Sequence, residues 1–185
     1  MATKNFKITG KEDGKEYWIS RACAVVVCMI GKDREKTNPH LLVSKRGPGC
    51  PDHIGKWQFT CGYLDWGESL EQAAQRELYE ELSLLLPIDK FEIFEISSNP
   101  DHDIRQNVVI RFRVSMELEE LQKMLESGEI NKNSWSRGGE EDEIEDIKLI
   151  PLSEVDNYEW AFNHRQLIDR LFNCSDWKPL KPSYM

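Results

Sequence analysis

Residues 19–30, ISRACAVVVCMI, form an apolar, β-branched run bounded by charged positions. A run without polar alternation predicts a strand buried on both faces. Residues 41–46, LLVSKR, predict the next strand, with the polar segment GKDREKTNPH between the two. The turn-rich stretch GPGCPDHIGK follows. WQFTCGYL, residues 57–64, then reads as a short extended piece. From residue 67 the period changes. In GESLEQAAQRELYEELSLLL, residues 70, 73, 74, 78 and 82 are apolar and share one arc at about 100° per residue, which predicts a helix. Ser69 is its N-cap and Gln72 completes a capping box. Pro87 prevents continuation.

KFEIFEIS (90–97) and NVVIRFRVSM (107–116) predict strands, and LEELQKMLES (118–127) predicts a short amphipathic helix. GEINKNSWSRGGEEDEIED is polar and reads as a loop. IEDIKLIPL (144–152) predicts a last strand and FNHRQLIDRLF (162–172) a closing helix. Strands and helices are interspersed without a clean βαβ alternation. That predicts a mixed sheet with helices on both faces. The length, 185 residues, suggests one domain, with an insertion around residues 117–141.

Composition narrows the functions. No stretch of about 18 apolar residues appears, so no membrane-spanning helix is expected. The N-terminal residues lack the apolar block of a secretion signal. The five cysteines are scattered and form no CxxC, which argues against a disulfide framework or zinc site and for a reducing, cytoplasmic compartment. The net charge of −9 disfavours general nucleic-acid binding, which needs a basic footprint. An acidic chain can hold a polyphosphate only through bound cations or a local basic patch.

The predicted helix carries a local conflict. RELYEEL, residues 76–82, places Glu77, Glu80 and Glu81 near its C-terminal end. Like charges three and four residues apart repel, and the helix dipole disfavours anions there. The three glutamates overlap one flank of the apolar arc, at the margin of the core, unlike a solvated face. Arg76 can reach Glu80 at i+4. Clustered carboxylates on one rigid element suit a hard cation such as Mg²⁺ or Mn²⁺.

The flanking spacing is more specific. Gly62 is followed by five residues and Glu68, then by seven residues and Arg76-Glu77-Leu78, then by Glu80-Glu81, Ser83 and Leu84. This closely resembles the signature of the Nudix hydrolase family, matching eight of its nine fixed positions, with Ser83 replacing a glycine. The resemblance implies a Nudix-type α/β/α sandwich with a mixed β-sheet. It implies Mg²⁺- or Mn²⁺-dependent hydrolysis of a pyrophosphate bond in a nucleoside diphosphate linked to another moiety. Glu77, Glu80 and Glu81 fall on metal-ligand positions, Glu80 and Glu81 also as catalytic candidates, and Arg76 on the position that orients them. Gly62 falls on the turn entering the loop, and Glu68 on a position tied to the loop's hydrogen bonding or lying near metal. The family often recruits a further glutamate from a later loop, and here Glu140, Glu141, Glu143 and Glu145 are available, with Glu143 and Glu145 as the candidates. Ser83 is expected to change the exit from the helix without loss of activity.

Candidate substrate contacts lie outside the signature. Lys45 and Arg46 end a predicted strand, Arg105 precedes another, and Trp57 is positioned to stack on a base or to pack in the core. Pro100, sixteen residues past Leu84, and the segments around it and His164 resemble the ADP-ribose pyrophosphatases of this superfamily. An ADP-ribose-like small molecule is therefore the favoured partner, and a homodimer is a further expectation. Two alternatives stand beside hydrolysis. One is a Nudix-fold module that binds a nucleotide for regulation without cleaving it. The other is an enzyme like isopentenyl-diphosphate isomerase using Cys61, whose loop CGYLDWGES has a similar spacing. A domain outside the family, serving acidic interactions, is a third and more remote reading.

Overall fold

The computed structural model describes residues 6–33, 38–99, 107–132 and 143–173. Its centre is strand β3 (Cys23–Lys32), preceded by a hairpin of β1 (Phe6–Thr9) and β2 (Glu16–Ile19). Along one edge β3 pairs in parallel with β8 (Val108–Glu117), from Cys23↔Val108 to Lys32↔Glu117. β7 (Glu92–Ser97) closes that side, antiparallel to β8. On its other edge β3 meets two partners in turn. Residues 29–31 pair with β4 (His40–Arg46), and residues 24–27 pair with β6 (Thr60–Tyr63). β4 pairs with the two-residue β5 (Trp57–Gln58) and, along its length, with β9 (Ile144–Pro151). β3 and β4 therefore diverge, and the segment carrying β5 and β6 fills the fork.

The unbroken apolar run has a simple cause: both faces of β3 are covered. Val25, Val27 and Met29 face Ala73, Ala74, Leu78 and Leu82 of α1 (Leu70–Leu82) and Leu121 of α2 (Leu118–Ser127). Val26, Cys28 and Ile30 face Leu167, Ile168 and Leu171 of α3 (His164–Asn173). The expected mixed sheet with helices on both faces is present.

Element boundaries differ from the sequence reading. The run 19–30 is two strands, because Ile19 belongs to the N-terminal hairpin and β3 begins at Cys23 and runs to Lys32. Nothing in the sequence pattern announced that hairpin. WQFTCGYL breaks at Phe59, where the chain passes from β4 to β3. Ser83 does not alter the helix exit as expected. It sits in the left-handed region at φ 58°, ψ 13°, as a glycine would, and its N–H bonds Tyr79 O. Its hydroxyl lies 3.1 Å from Asn131 Oδ1, so the strained residue is tied to the segment after α2.

Candidate functional site

The site forms where α1 crosses the fork between β3 and β4. The predicted capping box starts the helix: Ser69 Oγ accepts from Gln72 N at 3.3 Å, and Gln72 Oε1 accepts from Ser69 N at 2.8 Å. The apolar arc packs on the sheet. That rotates Glu77 and Glu81, one turn apart, toward β6 and β4. No basic residue lies in the last turn of α1 to offset the helix dipole.

Arg76 supplies the compensation from one turn earlier. Its Nε donates to Glu68 Oε2 at 3.0 Å and Nη2 to Glu68 Oε1 at 2.7 Å, a bidentate pair. Nη1 donates to Glu77 Oε1 at 2.7 Å and to Glu80 Oε2 at 2.9 Å. Nη2 also donates to Tyr63 O at 2.9 Å. All five N–H bonds of a guanidinium are thereby used. Glu68 in turn accepts from Asp65 N at 2.8 Å, which ties the loop before α1 to the helix.

Glu77 lies against Gly62. A Cβ at Gly62 would fall on its carboxylate, nearer than the 3.0 Å that real Cβ atoms respect. A glycine here makes room for a carboxylate. Glu81 is held from the sheet side. Its Oε1 accepts from Cys61 N at 3.1 Å, and its Oε2 from Ser44 Oγ at 3.2 Å and Gln58 Nε2 at 3.4 Å. Burial pushes the Glu77 carboxyl up to about 7, opposed by Arg76 and reinforced by Glu80 and Glu143. Burial, with Glu77 as neighbour, pushes Glu81 up to about 8, despite its hydrogen bonds.

Among the described residues, no three His, Cys, Asp or Glu side chains close a ready-made metal shell. The donor set fits a hard dication all the same. Mg²⁺ is bound through one or two carboxylates plus waters and substrate phosphates, not through all-protein cages. Glu77 and Glu81 are two largely buried carboxylates held high by lack of solvation, the condition that a divalent cation relieves.

The other sequence candidates separate by environment. Arg46 is buried and donates to Asp52 O at 2.9 Å, Asp52 Oδ1 at 3.0 Å and Gln58 Oε1 at 2.6 Å. Three of its five N–H bonds are thus committed within the chain. Trp57 is packed in the core on the α3 side, edge-on to Tyr158 at 5.6 Å, with Lys148 over its ring. Glu143 is half-buried and its charge acts on Glu77. Its carbonyl accepts from Gly47 N at 2.7 Å, which holds the segment against the turn after β4. Glu145 is exposed and accepts from Lys45 Nζ at 2.7 Å. Arg105, Pro100, Glu140 and Glu141 lie outside the described residues. His164 is buried, and its Nδ1 accepts from Phe59 N at 3.1 Å, satisfying the backbone at the break between β5 and β6. Burial lowers its pKa to about 3, so it is neutral. The Cys61 thiol is raised well above its ordinary value by burial and by Glu81.

Sequence reasoning missed Ser44 and Gln58, which grip Glu81. A signal existed: each is a polar residue within a predicted apolar strand, and buried polar positions are the informative ones.

The family model of the NUDIX domain matches residues 20–171. No curated protein matches the chain. Among solved structures, the fold is similar to the NUDIX domain of Shewanella oneidensis NrtR complexed with ADP ribose. That pair has TM-score 0.60 and 21% identity, covering 83% of this chain and 87% of the other. It is similar to a mutT/nudix family protein from Listeria innocua, with TM-score 0.55 and 27% identity, covering 82% and 92%. It is also similar to a bifunctional NMN adenylyltransferase/ADP ribose pyrophosphatase of Francisella tularensis complexed with AMP and a Mn ion. There the TM-score is 0.61 at 21% identity, and the match covers 83% of this chain but 42% of that one.

Proposed function

Because the chain belongs to the Nudix family of hydrolases, we propose that it cleaves the pyrophosphate bond of a nucleoside diphosphate joined to a second moiety, with an ADP-ribose-like substrate favoured. The observation that carries the reading is the pair of buried Glu81 and part-buried Glu77, set against Gly62 and gripped from both sides. In this reading Glu77, Glu80 and Glu81 hold Mg²⁺ or Mn²⁺. When bound, the cation neutralises phosphate charge and makes a water acidic enough to attack near neutral pH.

The chain's own residues do the rest. Arg76 keeps Glu77 and Glu80 at fixed positions while cancelling part of their repulsion. Glu68 locks the loop that leads into the helix. The proton released by the attacking water needs a carboxylate within reach. Glu80, Glu81, Glu143 and Glu145 are the candidates, Glu145 also accepting from Lys45 Nζ. Of the two later-loop glutamates, Glu143 is favoured because its charge is felt at Glu77. Arg105 remains a proposed phosphate contact.

Supporting the substrate class, the NrtR NUDIX domain was found with ADP ribose, and the Francisella protein is an ADP ribose pyrophosphatase with a second activity. A nucleotide-binding module that does not cleave is the second reading, because NrtR was also found with a 27mer DNA. The isomerase-like use of Cys61 is weakened by a thiol that burial keeps protonated and that, among the described residues, no histidine activates. We also propose one domain over residues 1–185, with an insertion around residues 117–141. A homodimer, no general nucleic-acid binding and a cytoplasmic location belong to the same reading. Among the described residues no helix is long and apolar enough to cross a membrane.

The test is a product screen. The protein is incubated with Mg²⁺ and a panel of ADP-ribose, NADH, dinucleoside polyphosphates, nucleotide sugars and oxidised nucleoside triphosphates, and products are identified by mass. Cleavage of ADP-ribose to two monophosphates is expected, with Glu80→Gln and Glu81→Gln each cutting turnover sharply while the fold survives. Full activity in both variants overturns the metal-site assignment. Tight binding without any product favours the non-catalytic module.

A further inference from the structure

Glu81 is held on the sheet side by residues that occupy no signature position. A carboxylate offers about four lone-pair sites. Three are taken here: Ser44 Oγ and Gln58 Nε2 fill Oε2, and Cys61 N takes one on Oε1. One site, on Oε1, is left over.

The Gln58 contact, at 3.4 Å, is weak by itself, and its direction is what matters. Arginine has donors and no acceptor, so the Gln58 oxygen must face Arg46 Nη1, 2.6 Å away. The amide NH₂ is then turned to Glu81. Arg46 cannot swing away, because Asp52 holds Nε through its carbonyl and Nη2 through its carboxylate. Phe162 covers the guanidinium at 5.0 Å. Gln58 is 1% exposed and Arg46 7%, and close-packed interiors keep such side chains in single rotamers. A flipped amide would press its oxygen against a carboxylate.

We infer that Gln58, oriented by Arg46 and Asp52, is a positioning residue for the proposed reaction: it fixes the plane of the Glu81 carboxylate, so that the site left over on Oε1 would be available to hold a divalent cation. The inference rests on Glu81 being a metal ligand. It assigns Arg46 to the support of that ligand, in place of the phosphate contact expected from its sequence position. Residues that orient ligating carboxylates typically change metal affinity or activity by about 10–100-fold when removed.

The test uses the full-length chain with Gln58→Met, which keeps length and removes the donor, and with the more exposed Asp52→Ala, which removes the acceptor of Arg46 Nη2 from outside. Mn²⁺ binding to the substrate-free protein is titrated by electron paramagnetic resonance, alongside kcat and KM for the compound cleaved in the product screen and the thermal melt. Gln58→Met is expected to weaken Mn²⁺ binding about tenfold or more and to lower kcat with little change in KM. Asp52→Ala is expected to move both in the same direction by less. A lowered melting temperature with wild-type Mn²⁺ affinity in the folded protein overturns the inference, since a purely structural residue would behave so. If Gln58→Met does not fold, wild-type affinity in Asp52→Ala overturns it equally. A wild-type chain that binds no Mn²⁺ overturns the site reading, and the inference with it.

Discussion

Replacing Arg76 by lysine keeps the charge and removes the fork, so it isolates geometry from electrostatics. The guanidinium makes five hydrogen bonds, to Glu68 twice, Glu77, Glu80 and Tyr63 O. An ammonium has three donors on one atom. At least two contacts are lost, each worth about 1.5–3 kcal/mol where a charged group is involved. The partners keep 13–22% of their side-chain surface exposed, which places the sum near the low end, about 3 kcal/mol. For a domain of this size, about 2–4 °C of melting temperature accompanies each kcal/mol. Arg76→Lys should therefore melt about 6–12 °C below the parent in metal-free buffer, measured by calorimetry at fixed pH. A melting temperature within about 2 °C of the parent would refute the claim that the carboxylates are held through the fork.

Two further outcomes follow from the same geometry. Gly62→Ala places a methyl on the Glu77 carboxylate while β6 stays anchored by its pairing with β3, so Mg²⁺-dependent turnover should fall about 10–100-fold with an unchanged circular dichroism spectrum; parental turnover would show that Glu77 is not needed where it lies. Glu77 and Glu81 have folded-state pKa values raised by burial to about 7 and about 8, above the usual 4.5, so the native state binds more protons than the unfolded chain across that interval. Their contribution to stability is complete below about pH 4.5 and declines as pH rises through about 8. Metal-free protein should therefore lose melting temperature from about pH 5 to 8, and Mg²⁺ should restore it at the upper end, where it replaces the protons. A flat metal-free profile, or no recovery with Mg²⁺, contradicts the assignment.

Much of the site was legible because its residues are local. Glu68, Arg76, Glu77, Glu80 and Glu81 lie on one helix and the loop before it, and a helix turns spacing into direction without help from elsewhere. Their mutual contacts through Arg76 follow from offsets of one, four and eight residues. The repulsion within RELYEEL was likewise a local signal, and it pointed to compensation.

What lay across the sheet was not legible. Ser44, Gln58 and Cys61 reach Glu81 because β3 and β4 diverge and the β5–β6 segment enters the fork, a pairing that strand composition does not encode. Arg46 reads as a free cation at a strand end and is a buried strut. Trp57 reads equally as a base platform or a core residue, and α3 decides for the core. Ser83 breaks the glycine rule in sequence yet keeps the glycine conformation, because its neighbours, through Asn131, hold it there.

The sequence by itself determined the helix, its cap, the order of carboxylates along one face and their suitability for a hard cation. All of these depend on the periodicity and charge of a single element. The tertiary structure alone decided which oxygen of Glu81 is left over, why position 62 has no side chain, and that the charge of Glu143 acts on Glu77. These depend on distances between segments far apart in the chain, set by how the sheet forks and packs.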